Sequence, residues 1–201
     1  MKLYYKQGAC SLSTHIALHE SGLAFDIEAV DLVAKKTESG ADFLAINPKG
    51  YIPALVLDDG TTLTEGVAIA LAIAAMAPNK NLAPAASTPQ YLKLVEWMIF
   101  IATELHKTTG AQFNPAMPDE GKAALKTVLV RRLDYADKAV GNGPFVMGET
   151  FTVADGYLFT VFSWLPRIGM DVSAWPNLVA HSARVKARPG VQAALKAEKL
   201  I

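Results

Sequence analysis

Residues 47–77 read NPKGYIPALVLDDGTTLTEGVAIALAIAAMA, and within that run the hydrophobic period changes from two to 3.6. Asn47-Pro48-Lys49-Gly50 is loop punctuation. Ala54–Leu57 and Thr61–Leu63 are two short apolar runs around Asp58-Asp59-Gly60, a hairpin signal, because glycine accepts the positive φ that a tight reversal demands. From Glu65 to Ala77 the composition turns to Ala, Ile and Leu, which predicts a helix. Strand, strand, helix is therefore the order that closes this part of the chain.

Upstream, Lys2–Tyr5 predicts a strand. Ser11–Glu20 carries Leu12, Ile16, Ala17 and Leu18 at helical spacing, with Gly22 as the stop. Asp26–Leu32 predicts a second strand and Asp42–Ile46 a helical turn. Residues 1–78 thus form an α/β domain of order β-α-β-α-β-β-α. Downstream, residues 79–89 contain Pro84 and Pro89 and little periodicity, which predicts a linker. Gln90–Thr108, Glu120–Val140, Val153–Leu165, Asn177–Ala187 and Val191–Lys199 all repeat at 3.6 residues, so residues 90–201 are expected to be an all-α domain.

Composition removes several classes of function. Lys plus Arg equals Asp plus Glu at 19 each, so no basic excess favours nucleic acid. No apolar run reaches the ~20 residues of a membrane span, and the first ten residues lack the pattern of a signal peptide. One cysteine cannot close an internal disulfide, and no Cys/His cluster has zinc spacing, so no metal is expected. A reduced, cytoplasmic protein with no nucleic-acid or membrane partner is the expectation.

Several local patterns bear on chemistry or folding. Cys10 stands between the first strand and first helix, where helix amides favour an anion and thiol pKa values fall; the competing reading is a small buried hydrophobe. Glu65-Gly66 opens a helix after Thr64, which reads as its N-cap. Thr152-Val153-Ala154-Asp155 has the T-x-x-D form of a capping box, so Asp155 is assigned to folding rather than catalysis. Positions 99, 103, 106 and 110 share one face of the helix predicted over residues 90–108. Trp97, Phe100, Ile101 and Leu105 read as core or dimer surface.

MKLYYKQGACSLSTHIALHESGL (1–23), KKTESGADFLAINPKGYIPALVLDDGTTLTEGVAI (35–69), IATELHK (101–107) and GETFTVADGYLF (148–159), in that order, resemble the soluble glutathione transferases over the whole chain. The placement of Cys10 and His106 is similar to the bacterial beta class. The resemblance implies a thioredoxin-like first domain, a helical-bundle second domain, and glutathione as co-substrate.

It also implies residue roles. Cys10 and His106 are the catalytic candidates: Cys10 faces the glutathione sulfur, and His106 stabilises the thiolate as a donor or takes its proton. Ile52 offers its backbone to the cysteinyl part of the ligand, ahead of a cis Pro53. Glu65 and Gly66 serve the γ-glutamyl end and Lys35 the glycyl carboxylate. Thr103, Glu104 and Lys107 complete the set, with Glu104 reaching across a homodimer interface. Tyr5 and Trp164 belong to the hydrophobic substrate side, core packing being the competing reading for Trp164. Relatives carry asparagine where this chain has Ile99, which removes a hydrogen-bonding group. Conjugation of small hydrophobic electrophiles is the leading expectation, monothiol disulfide exchange through Cys10 the second, and a non-catalytic ligand-binding protein or regulator the third.

Overall fold

A computed structural model describes residues Met1–Ile201. The chain packs as two units, Met1–Ala83 with Arg188–Ile201, and Pro84–Ala187. No helix is long and apolar enough to cross a membrane.

The first unit is built on a five-stranded sheet of order β3-β2-β1-β4-β5. Its strands are β1 (Lys2–Tyr5), β2 (Asp26–Asp31), β3 (Lys36–Thr37), β4 (Ala54–Val56) and β5 (Thr62–Thr64), and its helices α1 (Ser11–Ser21), α2 (Phe43–Ile46) and α3 (Gly66–Met76). β1 runs parallel to β2, as the crossover through α1 requires, and antiparallel to β4. Successive strand residues face opposite sides of a sheet, and here Leu3 and Tyr4 are both buried because both faces are covered. Tyr4 joins Val30, Phe43, Ile52 and Ala54 in one cluster, with Cys10 packed against its edge.

Several boundaries differ from the expectation. β3 was not foreseen: two residues are too few to show a period, and Asp31 makes the reversal before it by accepting the amides of Val33 and Ala34. Thr64 is not the N-cap of α3. That position is Glu65, at φ +66°, and its side chain makes no capping bond.

The larger difference lies at the C-terminus. Arg188–Ile201 was expected in the helical domain but packs with the first unit, α9 (Pro189–Ala197) lying against α1. The cause is polar as well as apolar. Arg188 grips Glu20 through Nε at 3.0 Å and Nη2 at 2.6 Å. Glu198, buried, accepts the Gly8 amide at 2.8 Å and sits 2.9 Å from His15 Nδ1.

The second unit comprises α4 (Pro89–Phe100), a π-helical stretch Ile101–His106, α5 (Lys107–Ala111), α6 (Asp119–Val140), α7 (Val153–Phe162) and α8 (Pro176–Lys186). The single helix expected over residues 90–108 is thus interrupted by a π turn, which carries about one residue more per turn and changes the phase of the faces. All ten residues of α7 are buried, and the polar side chains of Asp155 and Thr160 among them are hydrogen-bonded. The helix stops at Phe162, short of the expected Leu165, and a short 3₁₀ turn, Leu165–Ile168, follows with Pro166 near its start. The capping box forms: Asp155 Oδ2 accepts the Thr152 amide at 2.7 Å. Asp155 Oδ1 also accepts the Val146 amide and lies 2.8 Å from His181 Nε2.

Candidate functional site

Cys10 ends the loop after β1, and its backbone already has helical dihedrals as α1 begins. The half-buried thiol donates to the Ile52 carbonyl at 3.4 Å. The loop itself is pinned, with the Ala9 amide on Lys6 O at 3.0 Å and the Gly8 amide, at φ +64°, on Glu198. The Ile52–Pro53 bond is cis, and both residues are buried. The sulfur therefore stands at a helix start, beside an outward-turned carbonyl, where helix amides and the macrodipole favour negative charge.

A second cluster surrounds Glu65. Its Oε1 accepts from Lys49 Nζ and from the Tyr51 hydroxyl, each at 2.7 Å, and Lys49 Nζ reaches Thr64 Oγ1 at 3.0 Å. The hydrogen bond to Glu65 raises the Lys49 and Tyr51 pKa values above their usual range, so both stay protonated. Gly66 opens α3 against Pro53, the position of a Cβ there lying 3.7 Å from Pro53 Cγ. The first turn of α3 thereby adjoins the loop that carries Ile52. Lys35, at φ +56°, donates from Nζ to the Gly50 carbonyl at 2.7 Å. Tyr5, half-buried, lies 6.1 Å ring to ring from His15, and burial first, then Glu198, raises its hydroxyl pKa.

In the second unit, His106 Nδ1 lies 2.6 Å from the Tyr157 hydroxyl, and its ring is 5.1 Å from that of Trp164. Burial depresses its pKa to about 4, with Lys107 a lesser cause, so His106 is neutral at pH 7. In that neutral form the ring has one nitrogen that donates and one that accepts. Trp164 is 6% exposed and packs on His106 and Phe113, in line with the core reading of that residue. Thr103 turns back to the Ile99 carbonyl at 3.0 Å, and Glu104 Oε2 accepts from Arg132 Nε at 2.7 Å. Lys107 is exposed, and Ile99 is 51% exposed. Thr103 and Glu104 thus each hydrogen-bond a group of the helical unit itself.

Trp97, Phe100 and Tyr135 form an aromatic cluster beside Glu96, Arg131 and Arg132, around a cavity of about 350 Å³. No group of three or more His, Cys, Asp or Glu is placed to hold a metal.

Lys49, Tyr51 and Tyr157 are members of these clusters that sequence reasoning did not single out. Tyr51 adjoins Ile52-Pro53 in the quoted stretch, but an exposed tyrosine in a loop carries no signal of its partner.

Residues 8–76 match the family described as "Glutathione S-transferase, N-terminal domain", and residues 104–198 that described as "Glutathione S-transferase, C-terminal domain". The chain is 46% identical over 201 residues to Glutathione S-transferase GstA of Escherichia coli O157:H7, covering 100% of both. Among solved structures, a sphingomonad glutathione S-transferase complexed with glutathione is similar at TM-score 0.96 and 44% identity, with 100% of each chain covered. The beta-class glutathione S-transferase of Sphingomonas chungbukensis is similar at TM-score 0.97 and 46% identity, again with 100% of each covered.

Proposed function

The chain belongs to the glutathione S-transferase family, of the bacterial beta-class kind, and from that premise we propose how its first unit holds and activates glutathione. It is a transferase with glutathione as co-substrate. The peptide lies along the loops that follow β1, α2 and β5. Its cysteinyl backbone pairs with that of Ile52, which brings its sulfur to Cys10. The γ-glutamyl carboxylate takes the first-turn amides of α3, from Gly66 onward, and the α-ammonium takes Glu65. Lys35 turns from the Gly50 carbonyl to the glycyl carboxylate.

The reaction is attack by the glutathione thiolate on an electrophilic carbon of a small hydrophobic substrate. A sulfur–carbon bond forms, and the leaving group departs with its electron pair. What the protein supplies is stabilisation of the thiolate and orientation of its lone pair. The observation that carries this reading is the Cys10 thiol at the start of α1, on the carbonyl before cis Pro53. His106 is the polar candidate of the helical unit: with the Tyr157 hydroxyl donating to Nδ1, its Nε2 carries the proton and acts as a neutral donor. Retention on immobilised glutathione, followed by an aryl-halide conjugation assay, tests the reading. Retention with turnover is expected, and retention without turnover would refute conjugation.

Thiol–disulfide exchange is a second activity that Cys10 supports. Its thiolate would attack the glutathione sulfur of a disulfide between glutathione and another thiol, forming the Cys10–glutathione disulfide and expelling the other sulfur as its thiolate. A second glutathione must then resolve it, since the chain has no other cysteine. Both activities need reduced glutathione, which suits a cytoplasmic location.

The homodimer is proposed on the aromatic face of α4 and α6, where Tyr135 is 55% exposed beside Trp97 and Phe100. A two-fold axis lets one such patch serve both partners. Light scattering should return about 43 kDa, twice the 21.5 kDa chain mass. For Glu104 to approach a partner's ligand it must leave Arg132 or share it.

A further inference from the structure

Glu65 is held in place by its own loop. A glutamate side chain turns about several bonds, and at this exposed position it would lose that freedom only when a ligand ordered it. Here its Oε1 already accepts two hydrogen bonds, from Tyr51 and Lys49. The two donors are not equivalent. Lys49 brings a positive charge that opposes an incoming ammonium, whereas the tyrosine hydroxyl fixes the carboxylate without cancelling its charge.

Tyr51 is itself positioned by a buried bracket. Asn47, 1% exposed, donates from Nδ2 to the Tyr51 carbonyl at 2.7 Å and accepts the Lys49 amide on Oδ1 at 3.1 Å. Between them Gly50 takes φ +70°, and a Cβ there would stand 3.2 Å from Leu44 Cδ2, so the reversal suits glycine alone. The residue after Tyr51 is Ile52, whose carbonyl receives the Cys10 thiol. One short segment thus presents Tyr51 to the carboxylate cluster and Ile52 to the sulfur.

We propose that Tyr51 is a positioning residue for glutathione recognition, its hydroxyl orienting the Glu65 carboxylate that receives the α-ammonium of the γ-glutamyl group. This rests on the role given to Glu65 under the proposed function. Orientation before binding lowers the entropy cost of capture without touching the reacting sulfur, so it acts on KM and leaves kcat alone.

The test compares the intact protein with Tyr51→Phe, using glutathione and an analogue that lacks the α-amino group, against one aryl halide at saturation. Phenylalanine keeps the ring, and Asn47 holds a backbone carbonyl that the change does not alter. The expected result is a glutathione KM raised roughly three- to five-fold at constant kcat, the scale of one exposed charge-assisted hydrogen bond. The analogue KM should be the same in both proteins. A Tyr51→Phe protein that shifts both KM values equally, or neither, overturns the inference while leaving Glu65 its role. A wild-type protein that does not distinguish glutathione from the analogue removes the role of Glu65, and the inference falls with it.

Discussion

Glu198 and His15, 183 residues apart in sequence, meet at 2.9 Å with both side chains almost fully buried. The other carboxylate oxygen accepts the Gly8 amide at 2.8 Å, two residues before Cys10. The C-terminal segment thereby braces both α1 and the loop that delivers Cys10. Glu198→Ala is expected to destabilise the protein by about 3 kcal/mol, because it strands a buried imidazole N–H and a backbone amide at once. Chemical denaturation checks it, through a lowered midpoint at an unchanged slope. An unaltered midpoint would show that the contact contributes nothing.

Asp155 receives the amides of Val146 and Thr152 and the Thr152 hydroxyl, and faces His181. A simple cap contributes about 0.5–2 kcal/mol. Four buried contacts on one carboxylate raise the expectation for Asp155→Ala to at least about 3 kcal/mol. Unfolding and turnover measured on one preparation decide the matter. Activity lost at full stability would contradict the folding role.

His106, with a pKa of about 4 in the folded chain, lies below the ~6.5 of an unfolded histidine. As pH falls through 6.5 the unfolded state takes up a proton that the native state refuses, so stability declines until about pH 4 and then levels. The expected loss over that window is up to about 3 kcal/mol. His106→Gln should remove this part of the slope, as followed by unfolding midpoints across the same pH range. An identical pH profile in the variant would show that His106 titrates normally.

Cys10 is expected to react with an alkylating agent along a pH curve whose midpoint lies below the ~8.5 of an ordinary thiol. Cys10→Ala should abolish mixed-disulfide formation yet reduce conjugation only in part, since the nucleophile is the glutathione sulfur. A midpoint at or above ~8.5 would remove the helix-start argument.

Much of this was legible in contiguous residues. Asp58-Asp59-Gly60 encodes a hairpin, Thr152 to Asp155 a capping box, and Gln7 to Ser11 the passage from strand to helix that exposes a thiol at a helix start. In each case partners lie within a turn or two of one another, so residue identity and spacing are enough. The resemblance added Pro53 as a cis residue, which no local preference would have indicated.

Other features depend on partners that only folding brings together. Glu198 sits in a helical repeat that looks like a continuation of the second domain, and its pairing with His15 and Gly8 emerges only when α9 lies on α1. The π turn at Ile101–His106 breaks a periodicity that reads as one α-helix, because an extra residue in a turn leaves no mark on composition. Tyr51 and Glu65 are fourteen residues apart, on either side of a hairpin, and nothing in either residue names the other. Secondary structure is written in short-range preferences. The pairing of buried or facing polar groups is set by desolvation and geometry across the whole unit, and only the folded chain supplies both.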